Sequence, residues 1–241
     1  MEPAILPGDI IMVSKMSYGA RVLKPMKFLK HKKIEYVRTK GWNSIKKGDT
    51  FVFNYPVYDS YSGSSPNIYG HCLVKRCYAL PGDSVIINNE GINNEGIWNE
   101  RTKNDGMPEI QNRGNAFPYD TILDWSVGNY GPLYVPAKGQ SMELTKRNVC
   151  WYKDILRYEN PYNHIKDSLL TIDGKTVLRY TFQHNYYFML GDNFYNSNDS
   201  RYWGFVPDGN VIGKVVVVLF SIDPDEFGLK KIRWSRLLKI I

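Results

Sequence analysis

No stretch of this chain approaches the roughly 20 consecutive apolar residues with which a helix crosses a bilayer. Its best apolar run, Val215 to Phe220, has the length of a strand. Cysteine is scarce as well, and three in 241 residues cannot make a disulfide framework. Cys72 and Cys77 lie five apart on one strand-like segment, so they should point to opposite faces and cannot easily bridge each other. Cysteine usage therefore leaves the compartment open. Histidine is equally sparse, and His71, His164 and His184 lack ligand spacing with the cysteines, so neither a metal nor another cofactor is expected. A block of positive charge is missing too. The 31 Lys and Arg exceed the 24 Asp and Glu by a net +7, but the two signs are interleaved. No recognition motif accompanies them, and no nucleic-acid partner is expected. The modest cationic excess suits a surface of lipid head groups instead.

What is present has globular proportions. Hydrophobic residues make up 43% of the chain, and 18 Tyr and 6 Trp argue against disorder. Ile10–Val13, Phe51–Tyr55, His71–Leu80, Ser84–Ile87, Leu178–Phe182, Tyr186–Leu190 and Val215–Phe220 are short, rich in β-branched and aromatic residues, and bounded by turn formers. They predict an all-β fold of mainly antiparallel sheets with a few short helices. Pro7-Gly8-Asp9, Lys47-Gly48-Asp49 and Pro81-Gly82-Asp83 each precede a strand and read as a recurrent turn device. Between about Asn88 and Gly131 the composition shifts to Asn, Gly, Glu and Asp. Lys146–Glu159 then carries Val149, Trp151, Ile155 and Leu156 at a mixed spacing that allows a helix. The expected organisation is a catalytic β core of 1–87 plus 183–241, interrupted by an accessory domain over 88–182. The basic and apolar Leu229–Ile241 suits either a membrane surface or packing on its own domain.

Two clusters can carry chemistry. Lys75 sits in the strand-like His71–Tyr78, where alternation puts Leu73, Lys75 and Cys77 on one face and Val74, Arg76 and Tyr78 on the other. At least one of the adjacent cations is thereby directed inward. A lysine desolvated by apolar neighbours loses affinity for its proton and can serve as a general base. Both cations could equally be solvated edge charges. The second cluster, Gly191 to Gly204, is dense in short polar side chains that fix an irregular loop. It offers the hydroxyls of Ser197 and Ser200 and an Asp199–Arg201 ion pair.

Taken together with the N-terminus, these pieces resemble the three ordered signature boxes of bacterial type I signal peptidase, a membrane-anchored Ser/Lys endopeptidase that removes signal peptides from exported preproteins. The boxes are Met1 to Asp9, Lys75-Arg76-Cys77-Tyr78-Ala79-Leu80-Pro81-Gly82-Asp83, and Gly191-Asp192-Asn193 through Ser197-Asn198-Asp199-Ser200-Arg201-Tyr202-Trp203-Gly204. The tail Ile232-Arg233-Trp234-Ser235-Arg236 also looks like that family's C-terminus. The resemblance implies that Lys75 is the general base, that Ser197 orients it, and that Asp199 and Arg201 brace the site. It places Met1, Ile5, Leu73 and Val74 at shallow pockets for small side chains. There an extended substrate pairs with strand edges, with a preference for Ala-x-Ala. It also implies a signal-peptide substrate, a lipid-surface partner, no cofactor, and a catalytic domain on the outer or periplasmic face of the bacterial cytoplasmic membrane.

The chain departs from the family pattern in ways that matter. The family's nucleophilic serine immediately precedes the methionine matching Met1, so it is not among these residues; neither are an upstream serine that assists the oxyanion and the anchor. Ala4 replaces a threonine, and Phe194 and Tyr195 replace an Arg-Asp pair. Ser14 and Ser17 lie beyond the Pro-Gly-Asp turn, and nothing in their context suggests attack geometry. Met1 is therefore expected to be an internal methionine and the chain as given inactive. The alternative is a non-catalytic pseudopeptidase or peptide-binding module at the membrane surface.

Overall fold

The computed structural model describes residues 1–23, 36–56, 72–88, 116–120, 122–160, 163–172 and 174–241. Its strands are β1 (Asp9–Ser14), β2 (Arg21–Leu23), β3 (Tyr36–Arg38), β4 (Thr50–Asn54), β5 (Cys72–Ala79), β6 (Ser84–Ile87), β7 (Tyr130–Tyr134) and β8 (Ser141–Glu143). The helix α1 (Lys146–Glu159) follows, then β9 (His164–Lys166), β10 (Leu169–Ile172), β11 (Lys175–Thr176), β12 (Arg179–Thr181) and β13 (Tyr186–Leu190). A one-turn helix α2 (Ser200–Trp203) precedes β14 (Val206–Pro207), β15 (Val211–Ser221) and β16 (Lys239–Ile240). The fold is mainly antiparallel β with few helices, as the strand pattern predicts. His71, assigned to the second-box strand from sequence, lies outside the described residues. Among the described residues no helix is long and apolar enough to cross a membrane.

The principal sheet runs β1-β15-β4-β5-β13-β14, with β16 added to β15. β5 and β13 lie inside it, and their side chains alternate between two cores. Cys77, Tyr187 and Met189 join Phe51, Phe53 and Trp203 on one face. Tyr78, Tyr186, Phe188 and Leu190 face the other, where Val149, Tyr152, Ile155 and Leu156 of α1 cover them. Burial on both faces explains why β13 is an unbroken apolar run rather than an alternating one. The helix begins where its sequence allows. Thr145 Oγ1 accepts from Asn148 N at 3.2 Å while Thr145 N donates to Asn148 Oδ1 at 2.7 Å, a reciprocal cap. It ends before Pro161, which disfavours helical geometry in the residue before it.

The three Gly-Asp turns share one construction. In each the aspartate carboxylate accepts the backbone N–H three residues earlier: Leu6 to Asp9, Lys46 to Asp49 and Leu80 to Asp83, at 2.7–2.9 Å. At Gly8, with φ +91°, a Cβ would lie 1.8 Å from Ile222 O, so no other residue fits. The C-terminal segment forms short 3-10 turns and β16. Phe227, Leu229, Trp234, Leu238 and Ile240 stay exposed, so packing of its apolar side on the domain is not what the chain does. Arg236 is the exception. It is buried and grips Asp9 through two hydrogen bonds and Ala4 O through a third, tying the tail to the first box.

Arg236→Ala is expected to lower the unfolding free energy in denaturant by about 3 kcal/mol or more, because it leaves the Asp9 carboxylate buried and unpaired. Burial pushes that carboxyl upward, but hydrogen bonds from Arg236, Ser221 and Leu6 N together outweigh it and hold it at about 2, against an ordinary 3.8. A depressed folded value means stability present above the ordinary value and lost as pH falls toward 2. Asp9→Asn should lack this acid limb in urea unfolding followed against pH, and an unchanged limb would reject the assignment.

Candidate active site

Lys75 emerges at the middle of β5, opposite Phe51 of β4, and the following residue pairs with Leu190 of β13. The chain leaves β13 through Gly191 and returns in the loop that carries Ser197. Lys75 Nζ and Ser197 Oγ stand 2.9 Å apart, the amine donating to the hydroxyl. Ser197 is 9% exposed and opens onto a depression of about 560 Å³.

Two carboxylates lie nearby, and each is held by an arginine. Asp199 accepts from Arg201 Nε at 2.8 Å and Arg201 Nη2 at 2.9 Å, and also from the backbone N–H groups of Arg201 and Gly191. Asp192 accepts from Arg76 Nε at 2.8 Å and Nη2 at 2.7 Å, and Arg76 also reaches Gly48 O. The two adjacent cations of β5 are therefore not solvated edge charges: Lys75 enters the site and Arg76 forms a bidentate pair beside it. Burial lowers the Lys75 amine below the ordinary lysine value, and Arg201 adds to this, while Asp199 and Asp192 oppose it. A neutral amine, hydrogen-bonded to a hydroxyl and short of a carboxylate of its own, is a competent proton acceptor.

The N-terminal segment arrives at the same place. Met1 N lies within electrostatic reach of Lys75 and Asp192. Ile5 N donates to Met1 O at 3.0 Å. Met1, Ile5, Leu73 and Val74 are all half-buried, and Leu73 packs on the core beneath Trp203. The structure thus brings Lys75, Ser197, Asp199 and Arg201 together, with Met1 close by. Ser14 and Ser17 stand apart, hydrogen-bonded to each other at 2.8 Å.

Comparison with known proteins agrees with this geometry. Residues 1–220 match the family described as signal peptidase, peptidase S26. The chain belongs to that family of serine endopeptidases. It is 29% identical over 238 residues to signal peptidase I of Buchnera aphidicola subsp. Acyrthosiphon pisum, covering 94% of this chain and 67% of that protein. It is 30% identical over 239 residues to signal peptidase I of Aquifex aeolicus, covering 92% and 72%. For signal peptidase I of Pseudomonas aeruginosa the identity is 28% over 233 residues, covering 92% and 62%. The three-box resemblance is therefore borne out.

Several site residues carried no separate signal in the sequence. A Cβ on Gly191 would lie 2.0 Å from Ser197 Oγ and 3.2 Å from Lys75 Nζ, so the hydrogen-bonded pair exists only because glycine stands there. Phe194, a departure from the family pattern, lies under the Arg201 guanidinium at 3.8 Å from its ring centre. Ser200 Oγ accepts from Met189 N, fixing the loop to β13.

Gly191→Ala is expected to push Ser197 Oγ away from Lys75 Nζ and break their hydrogen bond, so that the NMR shifts of the Lys75 ε-methylene move toward those of Ser197→Ala. Displacement of about 1 Å at a reacting group costs on the order of 10²-fold in rate. Lys75 shifts unchanged from the parent in a folded Gly191→Ala protein would contradict this role.

Proposed function

We propose that this chain is the catalytic part of a serine endopeptidase that removes signal peptides from exported preproteins, with Lys75 the general base and Ser197 its orienting hydroxyl. The single observation that supports it most is the 2.9 Å contact between a depressed lysine amine and Ser197, with both neighbouring carboxylates engaged by arginines. The nucleophile is the hydroxyl of a serine immediately before Met1. Its oxygen attacks the scissile carbonyl carbon while its proton passes to the neutral Lys75 amine. Collapse of the tetrahedral intermediate breaks the C–N bond, and Lys75 returns the proton to the departing amine. Water then attacks the acyl ester, giving a proton to Lys75, and the serine oxygen leaves as a hydroxyl. Met1, Ile5, Leu73 and Val74 line the small-residue pockets, with the substrate extended along the strand edges. Residues 1–87 and 183–241 form the catalytic core, and 88–182 is an accessory unit packed against β5, β6 and β13.

Residues 1–241 alone are expected to be inert toward a signal-peptide substrate, and the same chain with Ser placed before Met1 to cleave it. Its rate should rise with pH along a limb set by Lys75 and lying below the ordinary lysine value, and Lys75→Met should abolish both rate and limb. The sign for stability is the same: the folded state disfavours the ammonium, so stability rises with pH up to the ordinary value. Lys75→Met removes that rise. If the serine-bearing protein binds peptide but never cuts it, the protein is a pseudopeptidase or peptide-binding module instead.

The site works on the outer face of the bacterial cytoplasmic membrane, where the domain rests on lipid. Met12, Val217 and Ile240 stand in register across β1, β15 and β16. Ile240 is 83% and Trp234 64% exposed, beside Lys230 and Lys231. Such an apolar face rimmed by cations fits a head-group boundary. In flotation with vesicles of anionic phospholipid, Trp234→Ser with Ile240→Ser should release most of the bound protein. Equal flotation of variant and parent would exclude this face.

A further inference from the structure

From the Ser197 depression a second hollow of about 370 Å³ leads away toward α1. The two share Tyr55, Tyr119, Tyr202 and Trp203, so they form one continuous groove that begins at the Ser197 hydroxyl. Its volume falls in the range of about 300–1,000 Å³ typical of ligand sites. One wall comes from the third box and the end of β4. The other is Tyr119, which the segment after residue 115 places there by a definite set of contacts. Phe117 N donates to Arg201 O at 2.7 Å, the Phe117 ring occupies the space that a Cβ on Gly204 would need, and Tyr119 OH donates to Tyr202 O at 2.6 Å.

The walls beside Ser197 present rings, and the charged residues Lys153 and Asp154 stand at the far end. Tyr119 is 54% and Tyr195 47% exposed, and Tyr55 meets Trp203 edge-on at 5.8 Å. Trp203 Nε1 is buried without a hydrogen-bond partner among the described residues. Tyr119 holds φ +61°, a conformation that a bulky residue adopts only when its surroundings enforce it. At the far end stands Asp154, which makes no hydrogen bond among the described residues. Burial raises its carboxyl, with Lys153 and Arg157 opposing.

We propose that this groove is an extended subsite for the polypeptide substrate, outside the small-residue pockets, which accepts an aromatic or large apolar side chain and rejects an acidic one. It rests on the peptidase reading for what occupies it. Continuity with Ser197 makes the occupant the same chain whose scissile bond lies at Lys75. Tyrosine and tryptophan faces give large contact area at small entropic cost. Lys153 lines the same end but is exposed, so its charge is screened by solvent; the half-buried Asp154 sets the sign of the discrimination, because a second carboxylate beside it is repelled.

The test is a binding measurement on residues 1–241, which needs no cleavage. Two sets of synthetic peptides share an Ala-x-Ala centre. One is lengthened by about eight residues upstream and the other downstream, with Phe, Ala or Glu walked through the added part. Isothermal titration should find that Phe tightens binding about tenfold over Ala at one or two positions of one set, which also assigns the side of the scissile bond, and that Glu weakens it there. Tyr119→Gly, whose backbone is at ease at this φ and so should fold, must bring the Phe-to-Ala ratio close to one. Asp154→Asn must relieve the penalty on Glu. Ratios near one in both sets of the parent protein, or a Phe preference that survives both Tyr119→Gly and Tyr195→Ala, would overturn the groove. Failure of the peptidase reading looks different: the Phe-bearing peptides bind, but the serine-bearing chain does not cut them.

Discussion

Two carboxylates flank the Lys75 amine, and arginines hold both. This constraint organises the site. If Asp199 or Asp192 faced Lys75 unopposed, the near anion would favour the charged amine and raise its proton affinity. With Arg201 across Asp199 and Arg76 across Asp192, burial prevails and lowers it, and among the described residues the hydrogen-bond partner of the amine is the Ser197 hydroxyl. A buried ion pair such as Asp199–Arg201 adds little net stability compared with an apolar pair of the same shape. Its value is positional. Through Asp199 it gathers the N–H of Gly191 and its own backbone, and through Arg201 it gathers the carbonyls of Val127 and Phe194, so that both ends of the loop and the segment carrying Val127 meet at one point.

The sheet delivers these groups with little freedom. β5 is paired on both edges and buried on both faces toward its C-terminal end, so the Lys75 stem has one direction to take. The first box is held from the opposite end of the chain: Arg236 binds Asp9 and Ala4 O, and Arg233 donates to Pro7 O. The tail fragment that resembles the family's C-terminus thus has a mechanical role, since it fixes the turn from which the N-terminal segment runs back to Lys75. Site and termini are linked through two arginines rather than through the core.

Much of this was legible in the sequence because it depends on local order. Ser84–Ile87 and Tyr186–Leu190 are strands with the expected bounds, and Lys146–Glu159 is a helix with the expected bounds, since β-branched and aromatic runs between turn formers and a Thr-x-x-Asn cap act over a few residues. The opposite facing of Lys75 and Arg76 followed from strand parity alone. What could not be read depends on space. That Gly191 is there to make room for Ser197 Oγ is a statement about atoms six residues apart in a folded loop. That Asp192 belongs to Arg76 joins residues 116 apart. The Asn- and Gly-rich composition near Asn88–Gly131 likewise gave no hint that Phe117 and Tyr130 would be core residues, because weak average hydrophobicity conceals a few well-placed large side chains.

The aromatic pair at 194 and 195 shows how a departure from a family pattern can leave the chemistry intact. Where the resemblance expects Arg and Asp, Phe194 lies beneath the Arg201 guanidinium and Tyr195 turns edge-on to it. The exchange removes two opposite charges, so the local net charge is unchanged and the Asp199–Arg201 pair gains a polarisable, weakly hydrated face in place of a competing carboxylate. A second acid here would have offered Arg201 another partner and left Asp199 freer to act on Lys75. With a ring instead, Arg201 stays on Asp199, and the balance that keeps the lysine amine depressed rests on burial. The same exchange turns the rim of the site from charged to aromatic, so one pair of substitutions both keeps Arg201 on Asp199 and lines the adjoining depression with the Tyr195 ring.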